Sequence, residues 1–189
     1  MKIKILLIIF SLILLLVVLT SIGTPTHKPT LDTRERITKT SNYIYECGIK
    51  VKEENQTIKD KIFYDIPVGI AIFFSNTTIE NCDFINCSDE GIVILETSNN
   101  NTIKNCSFFF CCDGVELQHS PDNTFINCNF IDNYHAGVDG IQNQNNNTRF
   151  IDCKFIGNYA GIYYQNESDN IFINCLFENN EFDLRGILW

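Results

Sequence analysis

Between Gly48 and Gly161 the chain keeps returning to one short pattern, glycine-aliphatic-x-aliphatic, at intervals of 21, 22, 23, 23 and 24 residues. The clean copies are Gly48-Ile49-Lys50-Val51, Gly69-Ile70-Ala71-Ile72, Gly91-Ile92-Val93-Ile94 and Gly114-Val115-Glu116-Leu117, with looser ones from Gly137 and Gly161. A second block alternates with it: TIENCDF ending at Phe84, TIKNCSF at Phe108, TFINCNF at Phe130, RFIDCKF at Phe155 and IFINCLF at Phe177. A repeat decides architecture before any single motif does, because each unit can bury its apolar face only against the next. Each unit holds short alternating runs separated by polar turn residues. That pattern predicts strands of three to five residues and is too short for a helical repeat, and no leucine framework is present. What remains is a coil of about three strands, each turn stacked on the last at roughly 4.8 Å. The chain is therefore expected to be all-β, a right-handed parallel β-helix of about six coils.

In that arrangement Ile92, Ile94, Ile103, Cys106, Phe108 and their equivalents point inward and form aliphatic, thiol and phenyl stacks. Each buried Phe or Ile contributes about 1.5–3 kcal/mol before entropy is counted. The chain carries 23 asparagines, and the most regular are those before the repeating cysteine: Asn81, Asn105, Asn127, Asp152 and Asn174. Asn tolerates the left-handed conformation and its amide can bond to the coils above and below, so these five read as a buried structural ladder. Cys87, Cys111, Asn133, Asn158 and Asn180, five residues after each core cysteine, read as a second column.

Cys82, Cys106, Cys128, Cys153 and Cys175 follow the repeat and read as core filler, since in-register side chains on parallel strands point the same way and bridge poorly. Cys87 with Cys111 or Cys112, in a turn, is the better candidate pair. No C-x-x-C and no converging ligand set stands out, so neither a metal centre nor a cofactor is expected.

The amino end is different in kind. Met1–Lys4 carries two lysines, and Ile5–Leu19 is apolar except for Ser11, continuing to Gly23. Residues 1–23 read as a membrane-targeting segment, either an uncleaved single-pass anchor or a secretory signal peptide. Lys2 and Lys4 on one side face Lys28, Arg34, Arg36 and Lys39 on the other. Orientation is therefore taken from the basic head, which places the large domain outside the cytoplasm, or secretes it if the segment is cleaved. Residues 24–30, with Pro25 and Pro29, read as a linker, 31–47 as an N-terminal cap and 48–189 as the β-helix. A net charge of −9 disfavours a phosphate backbone and excludes nucleic acid as a partner.

The Gly-Ile-x-Ile and Asn-Thr-Ile-x-Asn pattern over Gly48 to about Leu184 resembles the β-helix repeats of NosD-like periplasmic proteins, related in fold to pectate lyases, polygalacturonases and alginate epimerases. The resemblance implies that the outer face of the glycine strands forms a polysaccharide groove. Those outward positions read Lys50, Ala71, Val93, Glu116, Asp139 and Tyr163. Glu116 and Asp139 are expected side by side at roughly 5 Å, a spacing that suits a carboxylate pair or a bound cation. Asp113, His119 and His135 are expected nearby, and Tyr163 and Tyr164 could stack on sugar faces. Gly137-Val138-Asp139-Gly140-Ile141 holds one residue more than its neighbours and suggests a bulge. The motifs of the resembling enzymes are missing, among them an Asp-Asp pair, Gly-His-Gly and Arg-x-Lys. Arg149 and Arg185 read as lying off the groove.

These features imply a membrane-anchored binding or structural surface module without catalytic activity, carbohydrate being the candidate ligand. The alternative is a small polysaccharide lyase or hydrolase using Glu116 and Asp139. At the carboxyl end, Ile187, Leu188 and Trp189 are expected either to cover the last coil as an apolar lid or to leave it open for dimerisation.

Overall fold

The computed structural model describes residues 34–37, 47–140, 147–164 and 169–186. All its described strands belong to one unit, Arg34–Trp189. Each coil runs through three strands, as in Val68–Ile72, Thr78–Glu80 and Asp83–Ile85, before the next begins with Glu90–Ile94. Every strand pairs in parallel with its equivalents one coil away, giving a seven-stranded sheet of glycine strands, a six-stranded sheet and a second seven-stranded sheet. This is a right-handed parallel β-helix of about six coils.

Three left-handed turns per coil bend the strands around the core. Asn76, Asn81 and Asn86 mark one coil, at φ 60°, 53° and 55°, and Asn100, Asn105 and Phe110 the next, at 56°, 53° and 56°. Asparagine bears this conformation at little cost, which is why the composition is so rich in it. The glycine column has a different cause. A Cβ on Gly114 would sit 2.5 Å from the carbonyl oxygen of Gly137 and 2.8 Å from the ring of Phe130. Stacked backbone leaves no room there for any side chain.

Inside, Phe63, Phe84, Phe108, Phe130, Phe155 and Phe177 stack with ring centroids 4.7–4.8 Å apart and nearly parallel planes. Phe125, Phe150 and Phe172 form a second stack meeting the first edge-on. The thiol column lies within the core as expected, whereas the expected bridge from Cys87 to Cys111 or Cys112 is not formed, and all three are thiols. The core thiols also act as weak donors: Cys128 reaches the carbonyl of Ile103 at 3.5 Å and Cys153 that of Phe125 at 3.6 Å.

The asparagine columns sort differently from the expectation. Asn81, Asn105, Asn127, Asp152 and Asn174 are exposed, not buried. They do bond between coils, Asn127 Nδ2 donating to Asn105 Oδ1 at 2.9 Å and Asn174 Nδ2 to Asp152 Oδ1 at 3.2 Å. A left-handed turn throws its side chain outward, and the main-chain N–H groups of Asn81, Asn105, Asn127 and Asp152 already donate to the next coil's carbonyls. The buried amides stand elsewhere. Asn133 and Asn158 are closed from solvent, as are Asn101 and Asn123 in a further column outside the repeating cysteine block. Their side-chain oxygens accept from main-chain N–H groups one coil back, Asn123 from Asn101 at 2.9 Å and Asn158 from Asn133 at 3.0 Å.

Two further differences concern the ends and the groove. Glu35–Ile37, expected within a cap, is a strand paired in parallel with Lys61–Tyr64 as the first rung of its sheet. Ala136–Gly140 carries no bulge: Val138 and Asp139 pair in register with Val115 and Glu116 on one side and with Ile162 and Tyr163 on the other. The targeting segment 1–23, the linker 24–30, most of the 31–47 cap and the 187–189 lid lie outside the described residues. Among those described, no helix is long and apolar enough to cross a membrane.

Candidate functional site

Strand alternation sends every second side chain of the glycine sheet outward, and register fixes the columns they form. One column reads Lys50, Ala71, Val93, Glu116, Asp139, Tyr163 and Arg185. Arg185 therefore does lie on this face, opposite Tyr163. Its strand, Phe182–Gly186, carries Asp183 where the others carry glycine. A second column, on the other side of the glycines, includes Glu90, Asp113, Ala136, Ala160 and Phe182.

The face changes character along the axis. Toward the amino end Val68, Ala71, Val93 and Leu95 form an apolar cluster with Phe73 beside it, and the Lys50 ammonium lies 4.2 Å from the Phe73 ring centre. In the middle stand Glu90, Asp113, Glu116 and Asp139. At the carboxyl end Arg185 lies against Tyr159, Tyr163 and Phe182, its guanidinium carbon 5.1, 5.7 and 4.6 Å from their ring centres, and it donates a hydrogen bond to the Tyr159 hydroxyl.

A solvated strand face would leave the four acids exposed. Instead Asp139 is only 4% exposed, Glu116 6%, and Asp113 and Glu90 8% each. His135, half-buried, faces two of them: its Nδ1 lies 2.9 Å from Asp113 Oδ1 and 3.6 Å from Asp139 Oδ2. The His135 ring is 5.1 Å from that of Tyr163. Gln118 Nε2 donates to Glu116 Oε1 at 2.9 Å. Burial raises the carboxyl of Asp113 to about 6, opposed by the attraction of His135. Burial also raises Asp139, reinforced by the charge of Asp113, to about 7. Glu90 is pushed to about 9 by burial, then by Glu116 and Asp89.

The other expected neighbours are elsewhere. Tyr164 turns inward and packs on the core, because it follows Tyr163 on an alternating strand and takes the position that Ile72, Ile94 and Leu117 hold in earlier coils. His119 lies 3.4 Å from Glu96. Arg149 lines a depression of about 410 Å³ with Asn100, Asp122, Thr124, Asn147 and Ile171 on a different sheet.

These acids make stability depend on pH with a definite sign. A carboxyl whose folded-state pKa is raised is neutral in the fold while already ionised in the unfolded chain, so stability falls as pH climbs from its unfolded to its folded value. For Glu90 that window runs from 4.5 to about 9. The melting temperature should decline from about pH 5 to about pH 9. Glu90→Gln should raise it by a few degrees at the alkaline end and hardly at the acid end. Thermal melts across that range check this, and a uniform shift at every pH would refute it.

The fold and the outward acid-histidine cluster define an all-β solenoid with one chemically differentiated face. Residues 33–188 match the family model described as "Right handed beta helix region", and the chain belongs to that family. No curated protein matches the sequence significantly. Among solved structures, a rhamnogalacturonan lyase aligns with a TM-score of 0.52 at 15% identity, over 76% of this chain and 45% of the lyase. A mutant of the periplasmic alginate epimerase AlgG aligns with a TM-score of 0.37 at 12% identity, over 74% of this chain and 46% of its own. The chain thus spans less than half the length of either, and the likeness to the lyase is one of fold.

Proposed function

We propose that this protein is a carbohydrate-binding β-helix whose glycan lies along the outer face of the glycine strands, over Tyr159, Tyr163 and Arg185 and beside the Asp113-His135-Asp139 cluster. One observation carries the reading. Aromatic rings and a guanidinium on successive coils adjoin a set of acids on the same face. Rings stack on the apolar faces of sugars, and Arg185 offers paired donors to a carboxylate or to hydroxyls. The neighbouring lyase acts on rhamnogalacturonan, which makes uronate-containing glycans the first class to try.

A second reading, a lyase or hydrolase, has its own support. Two buried carboxylates flanking an imidazole are groups that exchange protons, the requirement for acid-base chemistry on a glycosidic or uronate centre. Incubation with rhamnogalacturonan, other uronate polymers and neutral glycans separates the readings. Retention without new chain ends supports the binding module, and Tyr163→Ala should then weaken it about tenfold, in line with the loss of one stacking contact. New reducing or unsaturated ends, abolished in Asp139→Asn, support the enzyme. Neither retention nor cleavage across the panel would overturn both.

A further inference from the structure

The acid-histidine cluster has the composition and spacing of a metal centre. Asp113, His135 and Asp139 each offer one ligand atom, and these atoms all lie within 4.8 Å of one another. Two of these separations, 2.9 Å from His135 Nδ1 to Asp113 Oδ1 and 3.6 Å from it to Asp139 Oδ2, bracket the spacing required. Donors bound tetrahedrally at about 2.1 Å stand roughly 3.4 Å apart. The second observation concerns an orphaned oxygen. Asp139 Oδ1 is closed from solvent and has no hydrogen-bond partner, although its carboxylate faces His135. A buried carboxylate oxygen left bare is costly, and a cation would satisfy it. Glu90 Oε2 is bare in the same way on the neighbouring strand, next to Asp113 in register.

We propose that Asp113, His135 and Asp139 bind a divalent transition-metal ion on the outer face of the β-helix. One imidazole nitrogen with two carboxylates is a mixed N,O set. It suits zinc or manganese, and the nitrogen makes it a poor site for calcium or magnesium, which prefer oxygen alone. Two carboxylates balance the ion's double charge, which offsets the cost of burying them. Three protein donors leave the ion at least one exchangeable position. The proposal does not depend on the glycan reading, because the ion should bind with no glycan present. Fold dictates the site: Asp113 and His135 are 22 residues apart and become neighbours only through one turn of the coil.

The test is titration of detergent-solubilised full-length protein, first stripped with chelator, with Zn²⁺, Mn²⁺, Co²⁺ and Ca²⁺. One Zn²⁺ or Mn²⁺ per chain should bind, with Ca²⁺ at least about tenfold weaker. Asp139→Asn and His135→Gln should each cost at least about tenfold in affinity while keeping the strand-rich spectrum of the parent. Because nine thiols could also hold zinc, Co²⁺ reports on the donors. The expected spectrum has weak visible bands without the near-ultraviolet absorption of cobalt-thiolate bonds. Thiolate absorption, absence of saturable binding, or affinity unchanged in both variants would overturn the proposal. If metal binds and no glycan does, the site stands and the glycan reading falls.

Discussion

Replacing Phe130 by alanine is expected to destabilise the solenoid by about 4 kcal/mol, a fall in Tm of roughly 8–16 °C. Phe130 is fully buried, stacked between Phe108 and Phe155 at 4.8 Å on each side, and touched edge-on by Phe125. The backbone above and below is held by parallel ladders, so the coil cannot collapse into the hole. In a solenoid each coil is stabilised only by its neighbours, and a cavity in the middle weakens two interfaces at once. Phe177, in the last complete stack and only partly buried, has a single stacked neighbour, Phe155, within its column among the described residues. Phe177→Ala should therefore cost about half as much or less. Chemical denaturation of the two variants checks this, and equal losses would contradict the stacked-coil account.

Asn133→Ala should cost about 3 kcal/mol although it removes few atoms. Asn133 Oδ1 accepts from the main-chain N–H of Cys111 at 3.1 Å, while its Nδ2 donates to Asn158 Oδ1 at 2.8 Å and to the Phe108 carbonyl at 3.4 Å. Alanine strands the buried Cys111 N–H and removes the amide bonds to Phe108 and Asn158, although Asn158 Oδ1 keeps the main-chain N–H of residue 133; a stranded donor or acceptor costs about 1–3 kcal/mol. Asn133→Asp is the sharper experiment. A carboxylate still accepts from Cys111 but meets two oxygens where the amide had donated, so it must be protonated to fit. Its stability should recover in part at about pH 4 and be lost at about pH 8, while the alanine variant should add no such pH dependence to that of the parent. Melts of the three proteins at both pH values decide it, and an aspartate variant no more sensitive to pH than alanine would show the ladder to be dispensable.

The repeat was legible because its period is enforced by covalent and steric facts that every coil must meet. Glycine recurs where the next coil's carbonyl and a phenyl ring leave no space for a Cβ, as at Gly114. Asparagine recurs where the backbone must turn left-handed, as at Asn105 and Asn127. The inward aliphatic, thiol and phenyl columns follow from alternation alone. The ladder of Asn81, Asn105, Asn127, Asp152 and Asn174 was found at the right turn but on the wrong side of the wall. Conformational preference identifies a left-handed residue, whereas the path of the chain decides where its side chain points.

The site was less legible. Glu116 and Asp139 were found as neighbours because both sit at the same offset from a repeat glycine. The strand period of two also separates Tyr163 from Tyr164, one outward and one inward, so the two rings do not share a single binding surface. His135 and Asp113 lie on the turn side of the glycines, and Arg185 on a strand without the marker glycine. Their meeting on one face required the actual register. The sequence by itself determined the coil, its period, its core columns and the pair of acids, because those depend on local sterics and on a two-residue alternation. Only the tertiary structure decided which amides are buried, that the acids are shielded from water, and that a histidine 22 residues on stands between two of them. Burial and distance across coils belong to the stacked assembly and not to any one segment of the chain.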